Sequence, residues 1–391
     1  MVSGKPGSYT LMRGGKPFFV KGGGGVGFAE SLAKHGANAA RSWGLETAKQ
    51  DLEACRKNGL VLQMGIWLPH KNENRDYADP KVIEELKGRV RDAVRIGKDH
   101  PSLLAYGLGN EMEWGRDADP AVWKGVGELA KLLKSLDPNH PIVTVVAELP
   151  EGKVDAIKRY APDVDILGVN SYGGAPSVPD RLKKMGWTKP YLLTEFGPLG
   201  PWEGGKSPWG AAYEATSTEK AARYAESYRK GVLGAPGWCL GSFAFLWGSK
   251  QEETSTWFGM LLPETNEPVE SAETMSALWR GVAVPAGRIA SFSLDRTEVE
   301  AGSTVYATYT PKGNRPAKLT VLVRGETPVK SNMGQGEATR PVISTTEVAN
   351  VGSARAISVS APKEPGAYRV YVVARDGSGY AATANVPFRV K

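Results

Sequence analysis

The chain has 391 residues, enough for one large domain and one small one, with an ordinary globular composition and a net charge of +7. Its lysines and arginines are interspersed with acids rather than gathered in a block, which argues against nucleic acid as a partner. Four histidines without an HxH or HExxH spacing disfavour a metal site, and no apolar run is long enough to span a membrane.

Residues Tyr9 to Val20 read as a hairpin whose second half becomes a first buried strand, and Gly22 to Gly25 read as the loop leaving it. That glycine run matches neither GxxxxGK[ST] nor GxGxxG, so a tight turn or close approach to a neutral substrate is expected there rather than a phosphate. From this point strand and helix alternate. Helix Ala29–His35 leads to strand Asn38–Gly44, and helix Glu46–Lys57 to strand Val61–Leu68. The long helix Pro80–Lys98, with Val82, Ile83, Leu86, Val90, Val94 and Ile96 at helical spacing, leads to strand Leu103–Glu111. Helix Pro120–Leu136, capped by Asp119, leads to strand Pro141–Glu148. Then come helix Lys153–Tyr160, strand Asp165–Tyr172, helix Val178–Met185, strand Tyr191–Glu195, helix Ser217–Leu233, strand Cys239–Trp247 and helix Ser271–Arg280.

Eight continuous apolar strands, each followed by a helix, predict an α/β fold: a (β/α)8 TIM barrel over residues 1–283. A doubly wound open sheet, the competing fold, would need neither eight units nor so many polar strand ends. Past Val284 the pattern changes. All 11 tryptophans lie before it, and short alternating strands follow at 289–294, 304–309, 319–323, 356–360, 368–374 and 381–390. A small all-β immunoglobulin-like sandwich over 284–391 is expected, acting as a spacer or stabilising module rather than a glycan binder. The polar segment Ser331–Arg340 within it reads as a mobile loop, and Cys55 and Cys239 read as buried free thiols.

Two strands end in a glutamate: Leu103-Leu-Ala-Tyr-Gly-Leu-Gly-Asn-Glu111 and Tyr191-Leu-Leu-Thr-Glu195. One such residue is most simply a loop ion pair. Two, on the fourth and seventh strands of a barrel whose site lies at the strand C-termini, suit a retaining glycoside hydrolase with carboxyls about 5–5.5 Å apart. One of them would attack as the anion and the other would carry the proton as acid/base. The other strand-end residues are Arg41, Trp43, His70, Asn110, Glu148, Asn170, Tyr172 and Trp247, a mixture of amides, charges and rings suited to sugars. His70 is expected to touch substrate, Asn170 either a hydroxyl or the backbone, and Glu148 to act through hydrogen bonds. Asp165, at the start of its strand, belongs to the stability face. Of the loop tryptophans Trp114, Trp202, Trp209 and Trp257, at least two should line the cleft, while Phe258 and Met260 pack.

Gly109-Asn110-Glu111 together with Thr194-Glu195-Phe196-Gly197 resembles the clan A glycoside hydrolases, and most of all the catalytic barrel of glycoside hydrolase family 2. Gly15–Gly22 and Gly36–Trp43 are similar to that family's opening strands, so the resemblance covers roughly residues 9–283. It implies Glu111 as acid/base, Glu195 as nucleophile, Asn110 on the sugar 2-hydroxyl, Arg41 and Tyr172 flanking the nucleophile, and Trp247 under the attacked sugar. It implies no cofactor. The expected partner is a neutral β-linked carbohydrate, with no nucleic acid or membrane involved. Family members typically carry domains before the barrel, whereas here the barrel begins almost at once, so the family's sugar preferences do not carry over. Transfer to a sugar acceptor, or glycan binding without turnover, are the alternatives on the same site. No leader is visible at Met1–Pro6, so the expected location is the cytoplasm, or outside it if a signal peptide has been removed.

Overall fold

The computed structural model describes residues 1–70, 73, 75–113, 118–326 and 339–391. Trp114 and most of the Ser331–Arg340 segment therefore lie outside the described residues. The chain divides into two compact units, residues 1–196 with 226–245, and 197–225 with 246–391.

A three-stranded antiparallel sheet comes first: β1 (Val2–Ser3), β2 (Thr10–Arg13) and β3 (Lys16–Phe18). The alternation then runs β4 (Val20–Gly24), α1 (Ala29–Lys34), β5 (Ala39–Arg41), α2 (Ala48–Lys57), β6 (Val61–Ile66), α3 (Pro80–Gly97), β7 (Leu103–Asn110), α4 (Pro120–Leu136), β8 (Ile142–Ala147), α5 (Lys153–Tyr160), β9 (Ile166–Asn170), α6 (Val178–Lys184), β10 (Tyr191–Phe196), α7 (Ser217–Ser227) and β11 (Cys239–Ala244), with α8 (Glu270–Arg280) after it. Strands β4 to β11 pair in parallel and close on themselves, β11 against β4, giving the eight-stranded TIM barrel that the alternation predicts. Asp79 and Asp119 cap α3 and α4 by accepting from the amides of Lys81 and Ala121, at 2.8 and 2.9 Å, with proline at the first helical position of each.

Apolar side chains near the strand starts fill the barrel's lower interior: Val20, Ala39, Val61, Leu104, Ile166, Leu192 and Leu240, joined by Phe243. Leu11, with Val2, Tyr9 and Phe18, packs onto the same cluster, so the N-terminal sheet seals the end remote from the strand C-termini. Arg41, Asn110, Asn170 and Glu195 lie toward the opposite end, at or near the last residues of their strands.

The expected glycine loop is not a loop. Gly22 and Gly24 belong to the first barrel strand; at Gly22 the Phe243 ring occupies the space a side chain would need, and at Gly24 the Trp43 ring stands close to it. A Cβ at Gly22 would stand 2.4 Å from the Phe243 ring. The last barrel strand ends at Ala244, short of Trp247, and the helix expected over 217–233 turns into a π-helix from Tyr228 to Leu233. Cys55 and Cys239 are both buried and unpaired, and burial pushes each thiol up to about 12.

In the second unit β12 (Ile289–Leu294), β14 (Thr304–Pro311) and β17 (Arg355–Ser360) form one antiparallel sheet. A second sheet has the order β13 (Glu298–Val299), β19 (Ala381–Val390), β18 (Gly366–Arg375), β15 (Ala317–Gly325), β16 (Val342–Val351). The two share one apolar core, Val305, Ala307 and Ile357 from the first meeting Leu319, Val321, Val370 and Val372 from the second. Strand β16 is absent from the sequence reading because its Ser-Thr-Thr-Glu run carries little apolar signal. No described helix is long and apolar enough to cross a membrane.

Candidate active site

The polar end of the barrel is built around Glu195, near the end of β10. Oε1 accepts from Arg41 Nη1 at 2.8 Å and from Trp43 Nε1 at 2.9 Å, and Oε2 accepts from the Tyr172 hydroxyl at 3.0 Å. Both members of the Arg41–Glu195 ion pair are almost wholly removed from solvent. A buried carboxylate is tolerable only when paired and hydrogen-bonded, and for Glu195 these three donors from β5, its following loop and the loop after β9 meet that demand.

Arg41 does more than balance the charge. Its Nη1 also donates to the Thr194 carbonyl at 2.8 Å, and its Nη2 to Asn110 Oδ1 at 2.5 Å. Asn170 continues the network: Nδ2 lies 3.1 Å from Asn110 Oδ1 and 2.6 Å from Glu111 Oε1, while Oδ1 accepts from Thr194 Oγ1 at 2.8 Å. A single run of hydrogen bonds therefore joins Glu195 to Glu111 through Arg41, Asn110 and Asn170. The rigid guanidinium fork serves two strands at once, which a lysine could not do.

Glu111 has a left-handed backbone, φ +51°, just beyond the end of β7, and its amide donates to the Val145 carbonyl at 3.0 Å. Such a conformation costs on the order of 1 kcal/mol or more for a residue with a Cβ and persists only where the surroundings impose it. Burial, and then the negative charge of Glu195, push the Glu111 carboxyl up to about 7, against the opposing effects of the Asn170 bond and the charges of Arg41 and Lys153. Glu195 is thus tied by three donors, and Glu111 holds its proton near neutrality.

His70, expected to meet substrate, has its Nε2 3.0 Å from the Asn110 carbonyl and its ring 4.8 Å from that of Trp67. As donor to a carbonyl it carries its proton on Nε2; burial, the largest influence, lowers its proton affinity, against the opposing effects of the Glu73 charge and of that bond. Asn110 spends its side-chain oxygen on Arg41 and Asn170. Glu148 has the same left-handed backbone, φ +51°, one strand along, and its carboxylate is taken by Ser171 and by Arg181, the latter at 2.8 Å.

Trp202, Trp247 and Trp257, expected with Trp43 to contact sugar, belong to the second unit; Trp202 is 55 % exposed and lies beside Phe258, with ring centres 6.2 Å apart. Trp257 is buried, its indole N–H donating to the Leu199 carbonyl at 2.9 Å, and Trp247 is buried against Trp279. Phe245, which the sequence reading passed over, meets the rings of both Trp43 and Tyr172 edge-on, at 6.0 and 6.1 Å. Its only sequence signal is the alternation Phe243-Ala-Phe245 at the end of the eighth strand run. Lys153 and Glu113, discussed below, were also missed.

No family model matches the chain. A putative β-glucuronidase of Formosa agariphila is 28 % identical over 169 residues, 42 % of this chain and 14 % of that protein. A β-glucuronidase of Paenibacillus borealis is 24 % identical over 182 residues, 41 % of this chain and 29 % of that protein. The chain thus spans less than a third of the length of these relatives. Among solved structures, a β-D-glucuronidase from Dictyoglomus thermophilum superposes with a TM-score of 0.55 at 17 % identity, over 73 % of this chain and 54 % of that one. A GH2 β-galacturonidase from Eisenbergiella tayi, bound to galacturonate, gives 0.54 at 17 %, over the same shares. The chain resembles the catalytic barrel of glycoside hydrolase family 2 in fold.

Proposed function

We propose that this chain is a retaining β-glycoside hydrolase in which Glu195 is the nucleophile and Glu111 the acid/base. The observation that carries this reading is the asymmetry of the two carboxyls within one hydrogen-bond network: Glu195 is held by Arg41, Trp43 and Tyr172, while Glu111 is pushed up to about 7. In the first step a Glu195 carboxylate oxygen forms a bond to the anomeric carbon. The glycosidic C–O bond breaks, and its electron pair takes the Glu111 proton. Glu195 is then a neutral ester, the charge that kept Glu111 protonated has gone, and Glu111 as carboxylate accepts a proton from the incoming water, which releases the sugar and regenerates Glu195.

The relatives' names bring β-glucuronides and galacturonides into the range of candidate substrates. We favour a neutral β-linked glycan. Among the described residues of the barrel unit, the cations acting on the two carboxyls are Arg41, paired with Glu195, and Lys153, bonded to the Glu113 carbonyl, so both are already engaged. The module over 284–391 we read as an immunoglobulin-like sandwich attached to a catalytic barrel over 1–283.

Glu195→Ala should abolish turnover of aryl β-glycosides, with azide restoring activity as the inverted glycosyl azide. An unimpaired variant would refute the assignment. A panel of aryl β-glucosides, β-galactosides and β-glucuronides identifies the sugar, and product analysis at high acceptor concentration separates hydrolysis from transfer.

A further inference from the structure

Lysine 153 opens helix α5, directly after Gly152, and is 2 % exposed. Two things disfavour a lysine there. Burial of an ammonium is costly, and the N-terminus of a helix is the end at which its dipole repels a cation. Burial accordingly lowers the proton affinity of this amine, with Glu113 and Glu111 acting in the opposite sense. Something on the barrel rim must offset both costs.

The amine lies 2.8 Å from the Glu113 carbonyl oxygen, two residues beyond Glu111. The Glu113 carboxylate is held separately, by Trp123 Nε1 at 2.7 Å and by the amide of Asp119. Met112 between them is buried. The peptide leaving Glu111 is therefore pinned at three points just after the residue with the left-handed backbone. Around the Glu111 carboxyl, the charged groups among the described residues are Glu195 from β10, Arg41 from β5 and Lys153 from α5, with the neutral amide of Asn170 from β9 in direct contact.

We propose that Lys153 is a positioning residue for the acid/base: its ammonium fixes the main chain that emerges from Glu111 and places a positive charge behind that carboxyl. This deepens the functional reading above and rests on it. Lys153 touches no reacting atom. It acts by keeping Glu111 in place and by limiting how tightly Glu111 holds its proton, so that the same group can release the proton in the first step and accept one in the second.

The test compares Lys153→Met, which loses both bond and charge, with Lys153→Gln, which keeps a donor and loses the charge, and Lys153→Arg, which keeps both. In Lys153→Met, kcat should fall about tenfold or more on substrates with poor leaving groups, from displacement of Glu111. The alkaline limb of kcat/KM should move up by on the order of one pH unit, because a cation near the carboxyl has gone. Lys153→Gln should show the limb shift with most of kcat retained, and Lys153→Arg should restore both. If Lys153→Met does not fold, the glutamine and arginine variants decide the question through the limb alone. A limb unmoved in Lys153→Gln overturns the proposal. Glu111→Ala, run in parallel, separates the two levels: its limb should vanish, and a limb that survives there refutes the underlying reading, whereas a limb lost there and unmoved in Lys153→Gln refutes only the role of Lys153.

Discussion

Arg41 and Glu195 form an ion pair at 2.8 Å, with side chains only 2 % and 8 % exposed. The pair comes from the second and seventh strands of the barrel, and both residues also bond outward: Arg41 to Asn110 and the Thr194 carbonyl, Glu195 to Trp43 and Tyr172. A pair so placed is expensive to break and inexpensive to remove whole.

Arg41→Met should therefore destabilise the protein by about 3–5 kcal/mol, since it strands a buried carboxylate. The double variant Arg41→Met with Glu195→Gln should recover much of that loss. Equilibrium unfolding in denaturant checks this, and equal stabilities for the single and double variants would contradict it. Neither variant should turn over substrate.

The acid/base sets the alkaline side of the activity profile. With Glu111 raised to about 7, kcat/KM should decline as pH rises through that region, because the proton needed by the leaving group is lost. The same shift has a stability sign. The folded state holds the proton more tightly than the unfolded chain does, so folding is penalised as pH climbs from the ordinary carboxylate value through about 7. Glu111→Gln should consequently be more stable than the parent at pH 8, with the difference shrinking toward pH 4.5; thermal melts across that range would show it.

Removing single donors to Glu195 should lower turnover without disturbing the fold. Trp43→Phe keeps the ring that meets Phe245 but loses the bond to Oε1, and Tyr172→Phe does the same at Oε2. Each should reduce kcat by about tenfold or more with an intact melting transition. A Trp43→Phe enzyme with unaltered kinetics would count against Glu195 as the reacting carboxylate.

Gly22→Ala places a Cβ 2.4 Å from the Phe243 ring inside the barrel. Overpacking of this kind costs about 1–3 kcal/mol. Pairing it with Phe243→Leu should return part of the lost stability, as measured by chemical denaturation.

The barrel was legible because burial on both faces makes each strand a continuous apolar run, and because the helices announce themselves by spacing and caps, as at Asp119. The strand-end position of Glu111 and Glu195 was legible for the same reason: a carboxylate at the end of an apolar run stands out. What the sequence hid is what depends on a partner far away in the chain. Gly22 looks like part of a loop until Phe243, more than two hundred residues on, occupies the space above it. That Arg41 and Asn170 share the Asn110 side-chain oxygen gave no sequence signal. Lys153 gave no signal, since a lysine at a helix start reads as surface until its burial is known. In β16, alternation between half-exposed polar residues carried too little apolar contrast to mark a strand.

The positive φ of Glu111 has a consequence for anyone randomising that position. Folded yield across such a library should rank by how readily each side chain accepts a left-handed turn, with glycine and asparagine high and valine and isoleucine low, whatever their chemistry. Turnover should rank by the capacity to give and take a proton. The two orders do not coincide, so a screen on soluble expression alone would enrich the well-behaved and inactive.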